Sequence, residues 1–179
     1  MNTTNMLVEI IVVGVFGFLW VGPIMLNCFD AAYLQNFFEL NIKSIIVFLA
    51  IIYFLGAISN FIADKLFFCV DKYIVKGYGS KAEIRKNRSK IIVSSSDAAC
   101  YLFQRRSFVR IFRANSMNLF FGAVAVYFDI GRLGDLFSFD KNNLSLFLFV
   151  FSVLSFIAYT ITLSGYFSYI NEAGGICER

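Results

Sequence analysis

Histidine is absent from this 179-residue chain, which removes imidazole as a general base, proton relay, haem ligand or metal ligand. Proline and tryptophan occur once each, and no low-complexity run is present, so a disordered or fibrous chain is excluded. Charge is also scarce. Asp, Glu, Lys and Arg make up 16% of the residues, against about 25% in water-soluble domains. What fills the gap is apolar: 59% of the chain is hydrophobic, 18% is aromatic and 23 residues are Phe. A mean hydropathy of +0.71 points the same way. A soluble core of this size could not hide that much apolar surface, so the composition implies a bilayer protein.

A helix crossing the hydrocarbon layer needs about 20 apolar residues, and four segments qualify as expected spans. Leu7 to Leu26 carries only Glu9, and Ile42 to Ala63 has Lys43 at its margin. Leu144 to Ile170 has no charge at all. The third span, Ala114 to Phe128, is short and must be completed by Phe108, Ile111 and Phe112, with Arg110 and Arg113 snorkelling to the interface. The first segment has no Lys or Arg before it and no A-x-A-like cleavage site after it, so it reads as a retained helix rather than a secretory signal. Pro23, after Gly22, predicts a kink or an early end of that helix. Trp20 and Tyr33 suit an interfacial aromatic belt.

The formal charge of +4 is unevenly spread. Twelve of the sixteen basic residues lie between Asp64 and Arg113, a segment of net +8, and the rest of the chain is −4. By the positive-inside rule this segment is cytoplasmic, as are both termini, and in a bacterial cell the chain belongs to the inner membrane. The expected fold is therefore all-α, with four transmembrane helices and a cytoplasmic extension of the second and third. It divides into residues 1–63 (two spans and an external loop), 64–107 (a basic cytoplasmic helical hairpin or cap) and 108–179 (two spans, an external loop and a short cytoplasmic tail).

Within the cap, charged and apolar residues alternate at helical spacing from Asp64 to Lys76, so the second helix should run on into the cytoplasm. Gly77 to Ser80 should break it, with the basic run Lys81, Arg85, Lys86, Arg88 and Lys90 as a turn region. Ser94, Ser95, Ser96 and Asp97 offer N-caps for a long helix that leads through Tyr101, Arg105 and Arg106 into the third span. Arg106, Arg110 and Arg113 share one face of it. Two readings fit these cations. They meet lipid phosphates at the membrane surface, or they form, with Lys81, Arg85, Lys86, Arg88 and Arg105, a wall that binds a cytoplasmic nucleotide or short nucleic acid. No phosphate-loop spacing accompanies them.

The fourth span carries ten hydroxyl residues, seven of them in a heptad-like row with Leu148: Ser145, Ser152, Ser155, Tyr159, Thr162, Tyr166 and Tyr169. Hydroxyls in hydrocarbon need partners, so the row faces another helix or water. The third span has a row of its own, Asn115, Asn118, Gly122, Ala125 and Asp129, which suits close helix packing; Asn118 either bonds across a helix pair or rings a pore. Ser152, Ser155, Tyr159, Thr162, Tyr166 and Asn118 are thus the pore-lining candidates of a symmetric oligomer.

Catalytic signals are thin. The four cysteines form no CxxC, and only Cys28 falls on the external side, which excludes membrane disulfide–quinone chemistry. No acid, base and metal constellation is present, so a non-catalytic chain without cofactor or metal is expected. In overall plan, with four helices and a basic cytoplasmic extension across the whole chain, the sequence resembles the small four-helix membrane effectors of bacterial anti-phage defence. That resemblance implies a homo-oligomeric channel that depolarises the membrane under control of a nucleotide. An accessory or scaffold subunit of a membrane complex, or a small transporter, is the alternative.

Overall fold

The computed structural model describes residues 3–28, 42–128 and 140–176. The expected external loops, with Tyr33, Asp129 and the tail cysteine Cys177, lie outside the described residues. Six helices and no strand make up those described: α1 (Thr3–Cys28), α2 (Ile42–Leu66), α3 (Phe68–Lys76), α4 (Lys81–Ser94), α5 (Ser96–Tyr127) and α6 (Lys141–Ile176). Two helices are long and apolar enough to cross a bilayer, Lys43–Leu66 and Lys141–Gly174, and α1 contributes the shorter apolar stretch Met6–Gly22. The outward faces of the two long ones are correspondingly apolar, exposing Ile46, Phe54, Phe61, Leu146, Phe147 and Ile161.

Helix α5 runs alongside α6, α1 packs on both α2 and α5, and α4 lies against the C-terminal part of α6. The closest approach is between α1 and α2. A Cβ on Gly14 would stand 1.9 Å from the carbonyl oxygen of Ile52, and one on Gly56 would stand 1.9 Å from that of Ile10. The two backbones therefore touch, which only residues without a side chain permit. Of the two alternatives expected at Pro23, a kink or an early end, the early end does not occur; α1 continues to Cys28.

The expected extension of the second helix is interrupted rather than continuous. Phe67 separates α2 from α3, yet its N–H bonds to Ala63 O at 3.0 Å and its carbonyl accepts from Asp71 N at 2.9 Å, so the two helices remain nearly in register. The basic run 81–90, expected as a turn, is helical. Ser80 caps it by accepting from Glu83 N at 3.2 Å, a serine with a glutamate three residues on, and Lys, Arg, Ala and Glu in the run are strong helix formers. Gly79, with φ at +108°, supplies the left-handed turn just before the cap. The N-cap expected near 94–97 is Ser95, which accepts from Ala98 N at 3.3 Å.

At 32 and 36 residues, α5 and α6 are about 48 and 54 Å long, well beyond a hydrocarbon thickness of about 30 Å. The N-terminal part of α5 and the C-terminal part of α6 meet α3 and α4 in a core of Ile84, Ile91, Leu102, Tyr166 and Ile170, ringed by Val75, Tyr78 and Phe167. Below it, Val109, Tyr159 and Leu163 form the next layer, and Val13, Ala63, Ala114 and Met117 the one beside that.

Candidate functional site

Where the apolar bundle gives way to the basic helices, the structure buries charge. Arg113, on α5, is only 8% exposed. Its Nη1 donates to Asp71 Oδ2 at 2.9 Å, and its Nη2 donates to Asp64 Oδ1. Tyr159, fully buried on α6, donates its hydroxyl to the other oxygen of Asp71. One guanidinium thus joins the end of α2, the middle of α3 and the inner face of α6. Asp64 and Asp71 are seven residues apart, two helical turns, and the nearly continuous register through Phe67 brings both to the same side. Phe67 itself closes the cluster with an edge-on contact to Tyr159, ring centroids 5.5 Å apart. Arg113 Nε is buried without a partner.

A second pair lies one turn away. Arg110 Nη1 is 3.5 Å from Glu9 Oε1, and Glu9 is 2% exposed, with its other oxygen buried and unpartnered. Burial pushes the Asp71 carboxyl above the ordinary carboxylate range, with the Tyr159 hydrogen bond opposing part of that rise. The inner side of the Arg106 guanidinium is partly buried although the side chain as a whole is exposed, and that partial burial lowers it below its usual value, with the like charges of Arg110 and Arg88 adding to the effect. Arg88, Arg106 and Arg110 therefore form a positive group that Glu9 offsets only in part.

The arginine face read from the sequence is thus divided by the fold. Arg113 and Arg110 turn to carboxylates of their own chain, whereas Arg106 is exposed beside the half-buried Arg88. Arg105 lies over the Tyr101 ring at 5.0 Å and packs so closely on α6 that a Cβ at Gly165 would come 2.3 Å from its Nη1. Lys81, Arg85 and Lys86 are on the exposed side of α4.

The hydroxyl row of α6 faces α5 within one chain. Ser145 donates to Ala123 O at 2.9 Å and Ser152 to Ser116 O at 2.8 Å, tying the two helices together where small residues let them approach. Tyr159 completes the charge cluster, Tyr166 belongs to the core under α4, and Thr162 bonds Ala158 O of its own helix at 2.7 Å. Ser155 and Tyr169 are half-buried. Asn118 is fully buried and bonds across a helix pair: Nδ2 donates to Val13 O at 3.0 Å, and Oδ1 accepts from Trp20 Nε1 at 3.2 Å. Asn115, Gly122 and Ala125 of the same row are buried too.

Among the described residues no three Cys, Asp or Glu side chains converge as a metal site. No family model, curated protein or solved structure matches the chain. Asp64, Asp71 and Glu9 were not foreseen as partners of the arginines. The available signal was the placement of single carboxylates at one end of two expected spans, level with the arginines of a third expected span, since ionisable groups at membrane depth seldom go unpaired.

Proposed function

We propose that this chain is a multi-pass membrane protein with four spans, formed by α1, α2, residues 108–127 of α5 with Phe128 capping them, and α6, with both termini and the basic helices in the cytoplasm. We further propose that it forms a homo-oligomeric channel whose conducting state is set from the cytoplasmic cap, in a bacterial setting as a nucleotide-regulated depolarising effector. The observation that carries the gating idea is the Arg113 cluster. Burying an ion pair brings little net stability, because desolvation offsets most of the attraction, whereas losing one partner is costly. A charged knot at the junction of bundle and cap is therefore better suited to holding two alternative arrangements apart than to fold stability alone. The described arrangement, with Ser145 and Ser152 bonded to α5 and Asn118 to α1, is the latched one. Opening would separate α3 from α5 and α6, and an anionic ligand drawn to Arg88 and Arg106 would bias that step by binding the two arrangements unequally.

The bonds that Ser145 and Ser152 make within the chain also favour a second reading, a rigid accessory or scaffold subunit with no water-lined row. One measurement tests the topology that both readings share, and a second separates the two. Cys69 and Cys100 are both exposed, and in a Cys28→Ser, Cys177→Ser background an impermeant maleimide added to intact cells should label neither until the membrane is permeabilised. Purified protein in liposomes should run as a homo-oligomer and dissipate an imposed potential. A monomer that leaks nothing across a nucleotide panel would leave the scaffold reading.

A further inference from the structure

Between the C-terminal turn of α3 and the middle of α6 the surface opens into a groove of about 710 Å³, walled by Tyr73, Ile74, Lys76, Tyr78, Ile161 and Ser164. That volume is in the range of small-molecule sites. Its inner wall is fixed. The Tyr78 hydroxyl is hydrogen-bonded to the Ser164 hydroxyl, Asn171 Nδ2 donates to Tyr78 O at 2.9 Å, and the Tyr78 ring packs on Phe167. The outer wall is apolar and open, with Ile161 67% exposed and Tyr73 82% exposed. Among the described residues, Lys76 is the one charged side chain that lines it, and no carboxylate does. Exposed Lys72 lies one turn earlier on α3, and Lys65 two further turns back beside the Phe61 ring. The groove starts at Thr160, next to the Tyr159 that reaches Asp71. Its lower half therefore belongs to the apolar surface of α6 and its upper half to the basic cap.

We infer that this groove holds one anionic phospholipid of the cytoplasmic leaflet, with its phosphate at Lys76, its glycerol region between Tyr73 and Tyr78, and an acyl chain along Ile161. The inference rests on the reading of α6 as a span that ends in the cytoplasm. Three features select this occupant. Tyrosines with one apolar and one polar end settle at headgroup depth. A row of lysines on one face matches the negative surface of that leaflet, at roughly five-fold in affinity per cation. A groove that is mostly apolar with a single lysine suits one phosphodiester on a hydrocarbon tail better than a free polyanion. Because Asp71 sits on the same short helix, a lipid seated at Lys76 also fixes the helix that carries the latch.

The test uses the full chain in detergent, titrated with phosphatidylglycerol or phosphatidylcholine and read by native mass spectrometry, with a photoactivatable phosphatidylglycerol to map the site. Phosphatidylglycerol should bind several-fold more tightly, crosslinks should fall within residues 73–78 and 160–164, and Lys76→Gln should remove roughly five-fold of the preference. Lys43→Gln, at the far end of α2, should leave it unchanged. Equal binding of the two lipids, a preference undiminished by Lys76→Gln, crosslinks elsewhere, or displacement by millimolar inorganic phosphate overturns the inference. Release of the protein from membranes by alkaline carbonate would instead overturn the membrane reading beneath it, so the two failures are distinguishable.

Discussion

Replacing Asp71 with Asn tests the latch at its most connected residue. The side chain is 28% exposed, accepts from Arg113 at 2.9 Å and accepts from the Tyr159 hydroxyl. An asparagine keeps the shape, and its carbonyl oxygen can still take the Tyr159 proton. Its amide group then faces Arg113 Nη1, donor against donor, and the charge is gone. A hydrogen bond to a charged group contributes about 1.5–3 kcal/mol. The larger cost of about 3–5 kcal/mol for a fully buried broken pair does not apply, because Asp64 still neutralises the guanidinium and water reaches the cluster. About 1.5–3 kcal/mol corresponds to a shift of roughly 10–150-fold toward the unlatched arrangement. Two assays follow it. Limited trypsin digestion in detergent should cut faster at Lys72, Lys76 and Lys81, and liposomes should lose an imposed potential faster at equal protein content. Tyr159→Phe, which removes only the hydroxyl, should move both readouts the same way, and the double variant should be less than additive because the two share Asp71. If Asp71→Asn folds and matches the unmodified chain in both assays, the cluster is not a latch.

The remaining predictions concern neighbouring features. Because burial raises the Asp71 carboxyl above its ordinary value, the folded chain takes up a proton at this group more readily than the unfolded one. The advantage of the unmodified chain over Asp71→Asn should therefore grow as pH falls from neutral toward the ordinary carboxylate range, and shrink as pH rises through the raised value; melting temperatures of the pair at several pH values give the sign. Gly14→Ala should destabilise by about 1–3 kcal/mol despite the better helix propensity of alanine, since its methyl would meet the Ile52 carbonyl; thermal unfolding in detergent decides between the two effects. Asn118→Leu leaves Trp20 Nε1 without its acceptor and should lower the melting temperature at a cost of about 1–2 kcal/mol. Arg106→Gln should weaken any nucleotide binding measured by calorimetry. Arg113→Gln should spare that binding and loosen the cap instead, because its guanidinium is already held by Asp64 and Asp71.

Periodicity made some of this legible in the sequence and hid the rest. The inner faces of α5 and α6 were visible because Asn115, Asn118 and Gly122, like Ser145, Ser152 and Tyr159, recur at heptad spacing, and a polar stripe on an apolar helix has to meet something. What it meets is not a periodic property. Ser145 and Ser152 find carbonyl oxygens exposed beside small residues of α5, and a backbone acceptor leaves no mark in the sequence that a partner side chain would. The Gly14 and Gly56 contact was silent for the same reason: each glycine is ordinary in its own helix, and the constraint exists only where the helices cross. The helix at 81–94 was missed because a run of cations was read by its charge, when its helix-forming residues and the Ser80 cap decide its conformation.

The arginines show how composition and geometry combine. Spacing correctly put Arg106, Arg110 and Arg113 on one side of α5, but a side as broad as two turns faces different neighbours along its length. At Arg113 it meets the α2–α3 junction and its two aspartates, at Arg110 it meets Glu9 of α1, and only at Arg106 does it emerge among other cations. The net +8 of the segment 64–113 is therefore not a uniform surface. Its deepest charges are spent in joining helices, and the excess that can attract an outside anion is concentrated on α4, around Arg106, and along the lysines of α3. Regulation from the cytoplasm would then act on residues adjacent to the latch rather than on the latch itself, so Arg106→Gln should alter ligand response while leaving trypsin cleavage at Lys72, Lys76 and Lys81 of the unliganded chain as slow as before.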